Sequence, residues 1–188
     1  MEGYEYLDRR IVKTRDVLKA ALMESLQYTQ LSQISITDLT TVANINRSTF
    51  YSHYTDKYDL LDAAIEQYAS IKFRTRQNFE TINETILKEI FIDVAIVLQE
   101  MKTTYKLNYH VISLIVEKKI KYDLQQLFQK IEQKMAKDYD EKTIHISSVM
   151  LSWGIYGAAL DWVDHDGEDA ESYISSVIPT LLNGLTSM

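Results

Sequence analysis

The 188-residue chain carries 20 basic and 27 acidic side chains, a net charge of -7, and 46% of it is hydrophobic. That is enough apolar material for a packed core in one compact domain or two small ones. It has no cysteine, which excludes a disulfide framework and a thiolate metal site. No run of about 18 apolar residues is available to cross a bilayer, and the N-terminus lacks the apolar stretch of a secretory signal, so a cytoplasmic protein without a membrane partner is expected. One proline and five glycines are few for a fold of tight β-turns, and Leu, Ile, Gln, Lys and Glu recur at helical spacing; the predicted fold class is all-α.

Residues 7 to about 28 form the first predicted helix, with a stripe of Ile11, Leu18, Ala21, Leu22 and Leu26. Gln27 to Gln33 is polar and short, a connection. Ser35 then opens a second helix, because in Ser-x-x-Asp the Ser35 hydroxyl accepts from the Asp38 amide while the Asp38 carboxylate answers back. This brief helix, with Ile36, Leu39, Val42 and Ala43 on one face, ends at Asn44, a residue type that tolerates the left-handed C′ conformation. Asn46 is predicted to cap a third helix through its side-chain oxygen. Two helices about three residues apart meet steeply, as in a helix-turn-helix. Stepped at about 100° per residue, the third helix turns Phe50 and Tyr54 inward as scaffold and leaves Arg47, Ser48, Thr49, Tyr51 and Ser52 outward. Such a small, hydroxyl-rich face suits an ordinary wet surface or a DNA groove, where it reaches phosphates and base edges without bulk.

The net charge argues against a nucleic-acid partner only if it is evenly spread. Residues 1 to 60 hold seven basic side chains against eight acidic ones, and the remainder holds 13 against 19. The acidity therefore sits mainly outside the helix-turn-helix, and Arg9, Arg10 and Lys13 gather near the start of the first helix.

The run Ala43-Asn44-Ile45-Asn46-Arg47-Ser48-Thr49-Phe50-Tyr51-Ser52-His53-Tyr54, followed by Asp56-Lys57-Tyr58-Asp59-Leu60-Leu61, resembles the DNA-binding signature of TetR-family transcriptional regulators. With Ile36-Thr37-Asp38-Leu39 the likeness extends over roughly residues 7 to 62, and Asn44 and Asn46 stand where many members carry glycine and serine. The resemblance implies a three-helix DNA-binding head, residues 1–56, and a helical effector-binding and dimerisation domain, residues 57–188, about nine helices in all. It also implies a homodimer on a pseudo-palindromic double-stranded operator, read through Asn46 to Tyr54. Arg47, Ser48, Thr49, Tyr51 and Ser52 are the expected groove contacts. Thr37, His53 and Lys57 are expected at phosphates, Lys57 beside the exposed amino end of the fourth helix.

That fourth helix runs to about Asn78 on a stripe of Leu61, Ile65, Tyr68 and Ile71, and with no Pro-, Gly- or Ser-rich linker it couples the two parts. Ile82, Ile86, Ile90, Val94, Val97 and Met101, flanked by Leu87, Phe91, Ala95 and Leu98, predict a central buried helix. Leu107, Val111, Leu114 and Ile115 mark a helix over about 104–117, and Leu124, Leu127, Phe128, Ile131 and Met135 another over about 119–138. Helices over Glu141–Val163 and 170–186, the latter kinked at Pro179, carry more apolar face than one small domain hides. Either they pack on the preceding helices or, with Gly154, Gly157 and Ala158 permitting close approach, they self-associate; the family resemblance implies dimerisation through these last two helices.

Other constellations carry less chemistry. Asp161, Asp164, His165, Asp166, Glu168, Asp169 and Glu171 lack calcium-loop spacing around Gly167 and are expected to be a solvated loop. Gly154-Ile-Tyr-Gly157 lies in an apolar helix without a phosphate-loop lysine, and the four histidines are dispersed, so no metal, cofactor or enzyme activity is expected. Tyr105, Tyr109, His110, Trp153 and Tyr156 are either plain core or the lining of a ligand pocket. By resemblance the chain is a repressor released from its operator by a small-molecule effector that tilts the fourth helix. One alternative is an activator or co-regulator answering to a protein partner, since Ser152–Leu160, Trp162 and Leu181–Leu185 are faintly similar to the dihydroxyacetone-kinase activator subgroup. The alternative from another class is a ligand carrier or small helical enzyme with a vestigial helix-turn-helix.

Overall fold

A computed structural model describes residues 9–73, 79–135, 140–165 and 169–186. Among these residues the chain has eight α-helices and no strand: α1 Arg9–Leu26, α2 Ile36–Val42, α3 Arg47–Tyr51, α4 Lys57–Phe73, α5 Glu84–Thr104, α6 Tyr109–Met135, α7 Glu141–Asp164 and α8 Ala170–Thr186. A 3-10 turn, Leu31–Gln33, stands between α1 and α2. The expected last turn of the fourth helix, 74–78, and Asp166, Gly167 and Glu168 of the acidic loop lie outside the described residues. No described helix is long and apolar enough to cross a membrane.

The first three helices enclose Leu18, Leu22, Leu26, Leu39 and Phe50, each completely buried. At about 1.5–3 kcal/mol per fully buried side chain of this size, so small a core is marginal by itself. It does not stand alone. Leu60, Leu61 and Ile65 of α4 continue it, and the buried cluster runs without a break into α5, α6 and α7. The fourth helix packs on α1 at one end and on α6 and α5 beyond it, so the head and the C-terminal helices share one hydrophobic body.

Helix α5 is the central member, burying Leu87, Ile90, Phe91, Val94, Ala95, Val97, Leu98 and Met101 against α4, α6, α7 and α8. Asn83 caps it by accepting from the Ile86 amide at 3.0 Å. Asp140 caps α7 in the same way, accepting from the Thr143 amide at 2.7 Å, a bond that holds its carboxyl below the usual range.

Two expectations change. The helices predicted over about 104–117 and 119–138 are one helix, α6, which lowers the count from about nine to eight among the described residues. The buried line Ile112, Val116, Ile120, Leu124, Phe128 and Ile131 passes through the supposed break without losing register. Its lysines are not a break but a surface, with Lys121 on Glu117 at 2.5 Å and Lys119 on Asp123 at 2.7 Å, both at i,i+4 spacing. Gly154 serves the fold of its own chain: a Cβ there would stand 2.7 Å from Leu181 Cδ2, so its lack of a side chain admits α8. Gly157 has nothing within 4 Å of the same position.

Candidate nucleic-acid interface

The turn between α2 and α3 is built by three local devices. Ser35 and Asp38 form the capping box: the Asp38 amide donates to Ser35 Oγ at 3.1 Å and the Ser35 amide donates to Asp38 Oδ2 at 2.9 Å. The Ser35 hydroxyl, donating to Asp38 Oδ2 at 2.6 Å, and then the Ser35 amide hold the Asp38 carboxyl below its usual range. Asn44 adopts φ 52°, the only positive φ of a non-glycine residue among those described, and lets the chain leave α2. The Ile45 amide then donates to the Thr40 carbonyl at 3.0 Å and closes the turn. Asn46 occupies the N-cap position with extended backbone, but its side chain makes no capping bond. Its amide group remains on the exposed side of the turn, beside a polar concavity lined by Thr40, Thr41, Asn44 and Ile45.

The third helix divides as its sequence requires. Phe50 is completely buried and Tyr54 nearly so. They face each other at 6.0 Å between ring centroids. Arg47, Ser48, Tyr51 and Ser52 are exposed together, Thr49 is half-buried beneath them, and Thr37 lies exposed in the first turn of α2. Arg47 Nη2 donates to Tyr51 Oη at 3.2 Å, and its guanidinium sits 5.6 Å from the Tyr51 ring. This pairing orients a cation and a phenol on one exposed edge. Ser52 Oγ donates to the Thr49 carbonyl at 2.7 Å, which leaves its lone pairs outward. His53 is half-buried in a cleft of about 650 Å³ between α1 and α4, among Arg15, Asp16, Lys19 and Asp59.

Lys57 is placed otherwise than expected. Its ammonium donates to the carbonyls of Leu31 at 2.7 Å, Ile34 at 2.8 Å and Ser32 at 3.2 Å. All three N–H groups of a lysine are thereby engaged on the 3-10 turn and the residue that follows it. The amino end of α4 is likewise occupied. Asp56 Oδ1 accepts from the amides of Tyr58 at 2.8 Å and Asp59 at 2.9 Å, so a carboxylate fills the place foreseen for a phosphate.

The five expected pocket residues differ in exposure. Trp153 is 60% exposed and His110 is exposed. Lys121 Nζ lies 3.6 Å from the Trp153 ring centre and 4.9 Å from that of Tyr156, filling the space between the two helices with a cation. Tyr156 is buried and Tyr109 half-buried; burial raises the pKa of each phenol, and each lies within electrostatic range of Asp164. Tyr105 is buried at the end of α5, and burial raises its phenol pKa. An apolar groove of about 210 Å³ lies elsewhere, among Ile92, Ala95, Ile96, Thr103, Trp162 and Ala170. Among the described residues no three His, Asp or Glu side chains are grouped to hold a metal ion.

Nothing local in the sequence marks Asn108, yet its side chain makes three hydrogen bonds that link the α5–α6 turn to the head. It precedes α6 directly, where an asparagine ordinarily caps its own helix, and its amide is spent on residues 77 to 82 positions away.

A regulator of the TetR family from Streptococcus agalactiae matches 93% of this chain and 96% of its own, at 20% identity and a TM-score of 0.55. The chain has the TetR-family fold. The dihydroxyacetone kinase operon activator DhaS shares that fold over 94% of this chain and 98% of its own, at 17% identity and a TM-score of 0.53. FadR of Bacillus subtilis, solved in complex with stearoyl-CoA, does so over 90% and 98%, at 18% identity and a TM-score of 0.51. In sequence, an uncharacterised helix-turn-helix-type transcriptional regulator of Bacillus subtilis, YxbF, is 35% identical over 101 residues, which are 53% of this chain and 27% of that relative. No family model matches the chain.

Proposed function

We propose that the chain is a sequence-specific, DNA-binding transcriptional regulator of the TetR type, a homodimer whose two heads read a pseudo-palindromic operator. One observation carries this reading: α3 buries Phe50 and Tyr54 while presenting Arg47, Ser48, Tyr51 and Ser52 together to solvent. The groove contacts are Arg47, Ser48, Thr49, Tyr51 and Ser52, with Asn46 at the turn and Thr37 and His53 beside the backbone. Residues 1–56 are the reader, and 57–188 receive the signal and associate. The self-association surface is centred on α7, where Ile146, Met150 and Trp153 are exposed at helical spacing and Gly157 leaves room for a neighbour. Among the described side chains of α8 the exposed ones are Glu171, Ser172, Ser175, Ser176, Pro179 and Thr180, and α8 joins α7 in this surface.

Control is repression relieved by a small molecule acting on the C-terminal helices. A second reading, an activator answering to a protein partner, draws on the exposure of Trp153 and His110, which a partner surface could meet. Selection of duplexes from a random pool by the full chain tests the main reading, with a palindromic sequence as the expected enrichment. Arg47→Ala should then lower the slope of log K against log salt by about 0.9 per lost phosphate contact. A pool that shows no enrichment overturns the regulator reading. Reporter transcription with and without the selected sequence separates repression from activation.

A further inference from the structure

The short linker from Leu26 to Ile34 joins α1 to the helix-turn-helix, and it is held from outside by two side chains. Lys57 occupies the carbonyls of Leu31, Ser32 and Ile34. From the other side comes Asn108, in the turn between α5 and α6 and only 4% exposed. Asn108 Nδ2 donates to the Leu26 carbonyl at 2.8 Å and to the Thr29 carbonyl at 2.9 Å, and its Oδ1 accepts from the Leu31 amide at 2.7 Å. Both amide protons and the carbonyl oxygen are thus used on one nine-residue segment. Helix α2 begins two residues after Ile34, so whatever moves the linker tilts the reader.

We propose that Asn108 is a positioning residue, which fixes the angle of the DNA-reading head against the C-terminal helices and passes movements of the α5–α6 turn to the reader. The proposal rests on the regulator reading for its consequence, but not for its test. Three bonds of defined direction to a buried site specify an orientation, whereas the apolar contacts around them tolerate sliding. Helix α4 reaches the same linker only through its first residue, Lys57, whereas Asn108 ties the linker to the α5–α6 turn.

The chain has no cysteine, so spin labels can be placed at Thr41→Cys in the head and Lys130→Cys in α6 and diluted with unlabelled protein. The unaltered chain should give one narrow distance. Asn108→Ala should broaden or shift it and raise exchange of the Leu31 amide about tenfold, the effect of losing one buried hydrogen bond, while the amides of Ile120 and Leu124 in α6 stay protected. A narrow, unshifted distance in Asn108→Ala overturns the proposal, and so does unchanged exchange at Leu31. Should Asn108→Ala not fold, Asn108→Asp keeps the acceptor for the Leu31 amide, loses both N–H donors to Leu26 and Thr29 and must broaden the distance; a narrow one overturns the idea equally. On selected DNA, Asn108→Ala should lose affinity for the two-half-site duplex and keep that for a single half-site, which a merely destabilised fold would not do. Distance and exchange need no DNA, so failure of the chain to bind any duplex would sink the regulator reading and leave the positioning result standing.

Discussion

Replacing Lys57 by methionine keeps most of the aliphatic stem and removes the ammonium that three carbonyls share. The Ser32 carbonyl is exposed and water can take the lost donor's place, but those of Leu31 and Ile34 are part-buried. At roughly 1.5–3 kcal/mol for a hydrogen bond to a charged group, two such losses with partial repair amount to about 3 kcal/mol. For a chain of this length that lowers Tm by about 6–12 °C. Urea unfolding should show the midpoint falling at unchanged m. Salt titration of DNA binding distinguishes the two roles open to this residue. A lysine on the 3-10 turn leaves the salt slope of the folded protein unaltered, whereas one on a phosphate would reduce it by about 0.9. A reduced slope with undiminished stability would refute the placement described above.

The other expectations concern packing and one buried acid. Phe50→Ala empties a completely buried site and should destabilise the head by about 3–5 kcal/mol, read by urea unfolding at a temperature where α6 and α7 remain helical. Gly154→Ala forces a methyl against Leu181 and should cost about 1–3 kcal/mol; Gly157→Ala should leave the protomer's stability unchanged and weaken association in sedimentation equilibrium. Glu132 is buried and accepts from Ser147 Oγ at 2.6 Å; burial raises its carboxyl above the ordinary value and the hydrogen bond opposes it. The folded chain therefore holds this proton more tightly than the unfolded one, and stability present at low pH is lost as pH rises from near 4.5 through the raised value. Glu132→Gln should flatten that decline, and identical pH–stability curves would count against it.

What the sequence disclosed was what depends on neighbours a few residues apart. The Ser35–Asp38 capping box, the left-handed Asn44 and the inward turn of Phe50 and Tyr54 are all matters of local spacing, and each is present. The α7 start at Asp140 and the central burial of α5 follow from the same kind of pattern. Lys57 and Asn108 were not legible because each looks locally like something else, a first-turn cation and a helix cap, and only the folded chain supplies their distant carbonyls. Asn46 shows the reverse, a cap by position whose side chain declines the bond. The break expected near residue 118 falls where Lys119 and Lys121 pair with Asp123 and Glu117 one turn away, bonds that suit a continuous helix. Trp153 and His110 looked like pocket lining because aromatic and imidazole rings are common there; which face of a helix meets solvent depends on packing that spacing alone does not specify.

The continuity of α6 has a mechanical meaning. Twenty-seven residues without proline or glycine make a rod of about 40 Å, and its two ends touch different parts of the molecule. Met135 Sδ accepts from the Ile82 amide at the entrance to α5, while the opposite end begins at Asn108 against the head. A two-piece helix would absorb a twist at its joint; a single one is stiff along its full length, so under the positioning role proposed for Asn108 a shift near residue 130 would arrive at the linker as a change of angle rather than being dissipated midway.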